Sequence, residues 1–236
     1  MEKPDTEGDL DMFTREKQSN AAYEKIKTRK AMVLGCGNVG SVVATILAES
    51  GMPELVLVDF DDYSFVDNRQ LYSTEDNMGK NKAVATANGI SERSKCYAVP
   101  YNANAVELLK SNTFDPTGYD IFMCVDSVPA RKAIFDELKR FTTGLIFDVG
   151  VEKNAIQITN YGEKGPINLY GKDDGQAHCV TIPLASFRAF MAATIMVDAY
   201  FNFFETQGTE DEPLVPKDHA LQVYTNTMTK FIRQIP

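Results

Sequence analysis

The chain has 236 residues, with 24 Lys and Arg against 33 Asp and Glu, for a formal net charge of -9. Nucleic-acid binding relies on cationic side chains that neutralise phosphates, so this balance argues against DNA or RNA as a main ligand. A composition of 44% hydrophobic and 24% charged residues supports a full core, and the scattered Cys36, Cys96, Cys124 and Cys179 form no C-x-x-C pair that would nucleate a zinc site.

Residues 1–29 are polar and evenly charged and read as an N-terminal arm without an apolar leader segment, which makes the cytoplasm the expected compartment. From residue 30 onward short β-rich runs alternate with helical ones. Strands are predicted at 31–34, 54–59, 95–99, 121–125 and 145–149, and helices at 41–49, 80–89, 104–111 and 129–140. Strands separated by single helices predict a Rossmann-like α/β fold, a mostly parallel sheet with helices on both faces. After Gly150 the rhythm changes. Runs at 155–161 and 167–170 flank Gly162, Gly165 and Pro166 and predict an antiparallel hairpin that extends the sheet in the C-terminal half.

A long apolar segment at 184–205 follows, then an acidic Gly/Pro loop at 208–218 and a last strand at 220–224. Arg188 and Asp198 interrupt the apolar segment, so it reads as a helix in a protein without a membrane span. Its Phe187, Phe190, Ile195, Val197, Phe201, Phe203 and Phe204 lie on more than one face. Such a helix is buried on both sides, inside the domain or at a subunit interface.

Gly35-Cys36-Gly37-Asn38-Val39-Gly40 is a G-x-G-x-x-G between the first strand and the first helix, and Asp59 ends the second strand 19 residues after Gly40. Gly35, Gly37 and Gly40 allow close approach of backbone to a phosphate, the helix N-terminus offers unpaired N–H groups, and a carboxylate at Asp59 can bind ribose hydroxyls. Taken alone, this pattern fits an NAD-dependent oxidoreductase.

The residues that follow point elsewhere. Val58-Asp59-Phe60-Asp61, then Asn68-Arg69-Gln70, then Gly79-Lys80-Asn81-Lys82, and finally Cys124-Val125-Asp126 with Arg131, stand in order along the chain. This series resembles the nucleotide signature of the ubiquitin-activating-enzyme superfamily, whose bacterial members include ThiF, MoeB and HesA: a V-D-x-D strand end, an N-x-x-R-Q loop, a G-x-x-K helix entry and a C-x-D strand end. Val66 stands where the pattern has its Asn, and of the N-terminal Arg motif only Arg15 is a candidate.

The resemblance implies an ATP- and Mg²⁺-dependent adenylyltransferase, in a domain spanning 30–236 with a crossover loop near 171–183. Its expected partner is a small ubiquitin-like or sulfur-carrier protein ending in Gly, whose carboxylate attacks the α-phosphate, and the expected assembly is a homodimer. Arg69 and Lys82 are the residue types suited to phosphates, one a planar fork and the other a point charge. Asp126 suits a hard Mg²⁺ ion. Asp59, Asp61, Asn68 and Gln70 complete the expected nucleotide contacts. Cys179, in Gln176-Ala177-His178-Cys179-Val180-Thr181-Ile182-Pro183, is the expected thioester nucleophile, with His178 as helper, against the alternative of a buried packing thiol. Two further alternatives are activation of another carboxylate, such as a peptide C-terminus, and a non-catalytic partner subunit of an activating enzyme.

Overall fold

The computed structural model describes residues 22–67, 70–151, 155–162, 165, 185–224 and 229–234. In chain order the elements are α1 (Tyr23–Ile26), β1 (Lys30–Leu34), α2 (Gly40–Glu49), β2 (Glu54–Asp59), α3 (Lys82–Arg93), β3 (Tyr97–Asn102), α4 (Ala105–Ser111), β4 (Asp120–Met123), α5 (Val128–Leu138), β5 (Ile146–Val151), β6 (Ala155–Tyr161), α6 (Ala185–Glu205), β7 (His219–Tyr224) and β8 (Thr229–Gln234), with short 3-10 turns at Phe65–Asp67 and Glu75–Asn77. One sheet runs in the order β3-β2-β1-β4-β5-β6-β7-β8. Its first five strands pair in parallel and β6, β7 and β8 are antiparallel. The expected α/β Rossmann-like class with an antiparallel extension is therefore observed.

Element boundaries follow local chemistry. Asn81 caps α3, its side-chain oxygen accepting from the amides of Ala83 and Val84, so the helix starts at Lys82 rather than at 80. Asn104 caps α4 in the same way, and Ser127 caps α5, with a Pro in its first turn. Strand β3 runs on through Pro100 to Asn102 because it is an edge strand bonded only to β2, where one side needs no N–H donor.

Three expectations change. Both edges of β6 are occupied, by β5 and β7, so 155–161 does not form a hairpin with 167–170, residues that lie outside those described. A strand absent from the reading, β8, continues the sheet past β7. The end of the expected polar arm is packed: Ala22, Tyr23 and Ile26 are buried, and Lys25 Nζ donates to the Phe204 carbonyl at the end of α6, 2.6 Å away.

The sheet separates two cores. On one face Val42, Val43 and Leu47 of α2 and Ala87 and Ile90 of α3 join Ala192, Met196 and Tyr200 of α6. On the other, Leu108 and Leu109 of α4 pack with Ile134, Phe135 and Leu138 of α5. Cys36 and Cys96 are buried and Cys124 is part-buried, which matches the packing role expected of them. Among the described residues no helix is long and apolar enough to cross a membrane.

At the N-terminal end of β4, Asp120 is buried and closes the sheet bottom. Arg29 donates to both its carboxylate oxygens, Tyr200 Oη donates to Oδ2 at 2.7 Å and the Leu145 amide donates to Oδ1 at 2.8 Å. Removing one member of a buried charged network leaves the others unpaired, so Asp120→Ala is expected to lower the unfolding free energy by about 3–5 kcal/mol in urea titrations. Tyr200→Phe is expected to cost about 1–2 kcal/mol in the same assay.

Candidate nucleotide site

The sheet order reverses between β1 and β4, one neighbour leading to β2 and β3 and the other to β5. Ligands of open α/β sheets bind at the carboxyl ends of the strands at such a point. Here the glycine loop leaves β1 and the Cys124-Val125-Asp126 segment leaves β4, tied by the Cys124 amide donating to Leu34 O at 2.8 Å. Gly35 has φ +90°, and a Cβ there would stand 2.9 Å from the Cys124 carbonyl oxygen. At Gly40 a Cβ would meet the Gly35 oxygen at 1.8 Å, whereas a Cβ at Gly37 would face open space. Two glycines are thus required by packing, and the third leaves the loop open on its outer side. No side chain caps the start of α2; the amides of Ser41 and Val42 donate instead to the Gly37 and Val39 carbonyls of the loop, at 3.2 and 3.1 Å.

Asp59 ties the glycine loop to the next segment. Its Oδ2 accepts from the Cys36 amide at 2.6 Å and its Oδ1 from the Asp61 amide at 2.8 Å. Burial pushes the Asp59 carboxyl above the ordinary aspartate range, while these two amide bonds and Lys82 pull it back. A carboxylate oxygen can accept more than one bond, so Asp59 retains acceptor capacity for a ribose hydroxyl.

Lys82, the first residue of α3, is only 8% exposed. Its Nζ lies 3.5 Å from Asp61 Oδ2 and 3.3 Å from Asp67 Oδ1. Burial pulls the ammonium down, but Asp67, Asp61 and Asp59 outweigh it and hold Lys82 above the usual lysine value. It is therefore a fixed cation. Gln70 Nε2 donates to Asp67 Oδ1 at 2.6 Å, which brings Gln70 into the same group.

The structure thus links the glycine loop, Asp59, Asp61, Lys82 and Gln70 in one network, with Asp126 exposed just past β4. Asn68, Arg69, His178 and Cys179 lie outside the described residues. Two residues of the site were missed as site residues. Asn81, besides capping α3, donates through Nδ2 to the carbonyls of Asp59 and Asp61 at 3.0 and 3.1 Å, fastening the acidic segment to the helix. Its signal was local, a cap residue immediately before a helical run. Asp67 carries no such signal, because its meaning comes from Lys82, 15 residues further along.

Arg131 anchors the β4 end. Its guanidinium donates to the Val125 carbonyl at 2.8 and 3.1 Å and to the Val149 carbonyl at 2.9 Å, and pairs with buried Asp148 at 3.2 Å. Tyr161 Oη completes that pair by donating to Asp148 at 2.6 Å. The Arg131 side chain therefore holds the strand ends on either side of Asp126 in register. Among the described residues no cluster of three or more His, Cys, Asp or Glu could hold a metal. Asp126 can offer a single hard oxygen ligand, which fits an ion bound by one carboxylate and phosphate oxygens.

Comparison with known proteins places the fold and the family. The chain is 32% identical over 158 residues to ubiquitin-like modifier-activating enzyme 5 of Culex quinquefasciatus, an alignment covering 60% of this chain and 40% of that protein. With the enzyme of the same name from Aedes aegypti it shares 31% over 146 residues, 57% of this chain and 36% of that one. The chain thus spans about two fifths of the length of these curated relatives. Its fold resembles the crystal structure of E. coli MccB with ATP, at a TM-score of 0.71 and 19% identity over 91% of this chain and 66% of that one. None of these matches favours an NAD-dependent oxidoreductase. The ThiF family model covers residues 12–200, a span that contains the glycine loop, the acidic segment, Lys82 and the β4 end, and on that match the chain belongs to the ThiF family.

Proposed function

We propose that this protein is an ATP-dependent adenylyltransferase that activates the C-terminal carboxylate of a small ubiquitin-like or sulfur-carrier protein ending in Gly. The observation that carries this reading is the buried, ionised Lys82, held by Asp61 and Asp67 and acted on by Asp59, whose carboxylate binds the glycine loop. Family membership and relatives named as ubiquitin-like modifier-activating enzymes support it.

A carboxylate is ionised at neutral pH and needs no general base. An acceptor oxygen attacks the α-phosphorus, the bond to the bridging oxygen of the β-phosphate breaks, and pyrophosphate leaves with that electron pair. The obstacle is repulsion between an anion and a triphosphate, so the work of the protein is alignment and charge compensation. Lys82 supplies a fixed positive charge, Arg69 a planar fork, and the glycine loop backbone amides. Asp59 would orient the ribose, with Asp61, Asn68 and Gln70 completing the nucleotide pocket. Asp126 would hold Mg²⁺, which when bound would add further positive charge against the phosphates.

Lys82→Ala and Asp126→Ala are each expected to slow carrier-dependent ATP–pyrophosphate exchange by about a hundredfold or more. Exchange at the wild-type rate in both variants would remove these residues from the site. Nucleotide binding by the wild type without any exchange would favour the reading as a non-catalytic partner subunit.

In the second half-reaction we propose that the Cys179 thiolate attacks the acyl carbon of the adenylate, AMP departs and a thioester forms, with His178 favouring the thiolate. The other three thiols are poor candidates. Burial pushes Cys36 and Cys124 well up and Cys96 to about 12. Intact mass spectrometry with ATP and carrier under non-reducing conditions is expected to show an adduct on the wild type and none on Cys179→Ala. An unchanged adduct would exclude Cys179.

We further propose that the protein acts in the cytoplasm as a homodimer. The described cysteines are all free thiols, as a reducing compartment favours. On α6, Phe187 is 59% and Phe190 44% exposed, a pair of aromatics suited to an interface. Light scattering after gel filtration is expected to give twice the chain mass, shifting toward the monomer in the double variant Phe187→Asp, Phe190→Asp. A monomeric wild type would end this part of the proposal.

A further inference from the structure

The surroundings of Lys82 are unusual for a phosphate site, because three carboxylates, those of Asp59, Asp61 and Asp67, act on one ammonium. Their contributions differ in kind. Asp59 is committed to the Cys36 and Asp61 amides. The Asp61 side chain is 53% exposed, so water and salt screen it. The Asp67 side chain is 12% exposed and makes the shorter contact, 3.3 Å. Asp67 also accepts from the Ser64 amide at 2.9 Å, from Ser64 Oγ at 2.8 Å and from Gln70 Nε2 at 2.6 Å.

We infer that Asp67 is the positioning residue that sets nucleotide affinity: in the free protein its carboxylate holds Lys82 and Gln70 in place, and phosphate takes Lys82 from it on binding. This rests on the reading of Lys82 as a phosphate ligand. When the ammonium turns to phosphate, the Ser64 and Gln70 donors keep Asp67 ionised, so a negative charge remains beside the triphosphate. Asp67 therefore buys a preset lysine rotamer at a cost in ATP affinity, and its effect falls on binding more than on the chemical step.

Asp67→Asn removes the charge and keeps the shape. The buried Gln70 Oε1 has no hydrogen-bond partner among the described residues, so rotation of the Gln70 amide would give the new amide an acceptor while the Asn oxygen keeps the Ser64 donors. Calorimetric titration with ATP-Mg²⁺ is expected to give a Kd about tenfold tighter for Asp67→Asn, with the kinetic change in KM rather than kcat. For Asp61→Asn, the more screened partner, the expected gain is under about threefold. In nucleotide-free protein, acylation of Lys82 by a lysine-selective reagent, read by peptide mass spectrometry, is expected to be faster in Asp67→Asn than in the wild type.

A Kd for Asp67→Asn equal to or weaker than that of the wild type, or unchanged Lys82 acylation, overturns this inference and leaves the site reading intact, provided Lys82→Ala loses ATP. If Lys82→Ala binds ATP as tightly as the wild type does, both fall together.

Discussion

A carboxylate taken out of water at the end of a strand must find donors, and Asp59 finds them in two backbone amides that belong to different loops. That choice ties the glycine loop after β1 to the acidic segment after β2. Desolvation pushes the group toward its neutral form, and the amide bonds and Lys82 oppose that push while they hold the loops together. The rest of the site hangs on this joint. Asn81 reaches the Asp59 and Asp61 carbonyls from the start of α3, and Lys82, one residue on, thereby takes a fixed place beside the same segment.

The arrangement is closely packed at some points and open at others. The Gly35 and Gly40 contacts leave no room for a side chain, and Arg131 joins the ends of β4 and β5 through the Val125 and Val149 carbonyls. By contrast Gly37 faces open space and Asp126 is exposed. At the opposite end of the sheet the Arg29–Asp120–Tyr200 network fixes the bottom of β4, so a strand of only four residues is anchored at both ends. Its carboxyl end can then carry an exposed acid without losing register.

Most of the parallel half was legible from residue order. Apolar runs of strand length alternating with capped helical segments leave few topologies, because parallel neighbours require right-handed crossovers. The antiparallel half was harder to read. Residues 155–161 alternate in a way that any partner strand could satisfy, and turn residues nearby suggested the next run as that partner. The sheet instead places β5 and β7 on either side of β6, and β7 comes from beyond the long helix α6. Periodicity says which residues share a face and does not say which strand lies alongside. Strand β8 offers only the apolar pair Phe231-Ile232 between Lys230 and Arg233, too short a run to signal a strand by periodicity.

The site divides along the same line. Residues whose positions are local, the glycines of a tight strand-to-helix turn, an acid at a strand end and a lysine at a helix start, could be placed by the sequence, since their spacing encodes their geometry. Asp67 and Arg131 became intelligible only through contacts with Lys82 and with the β5 end. The charge tells the same story. A net -9 describes the whole surface, whereas the site turns on one ammonium only 8% exposed among three carboxylates. Composition counts charges, but only tertiary structure decides which of them are removed from water and set within reach of one another, and burial and separation govern how strongly they act.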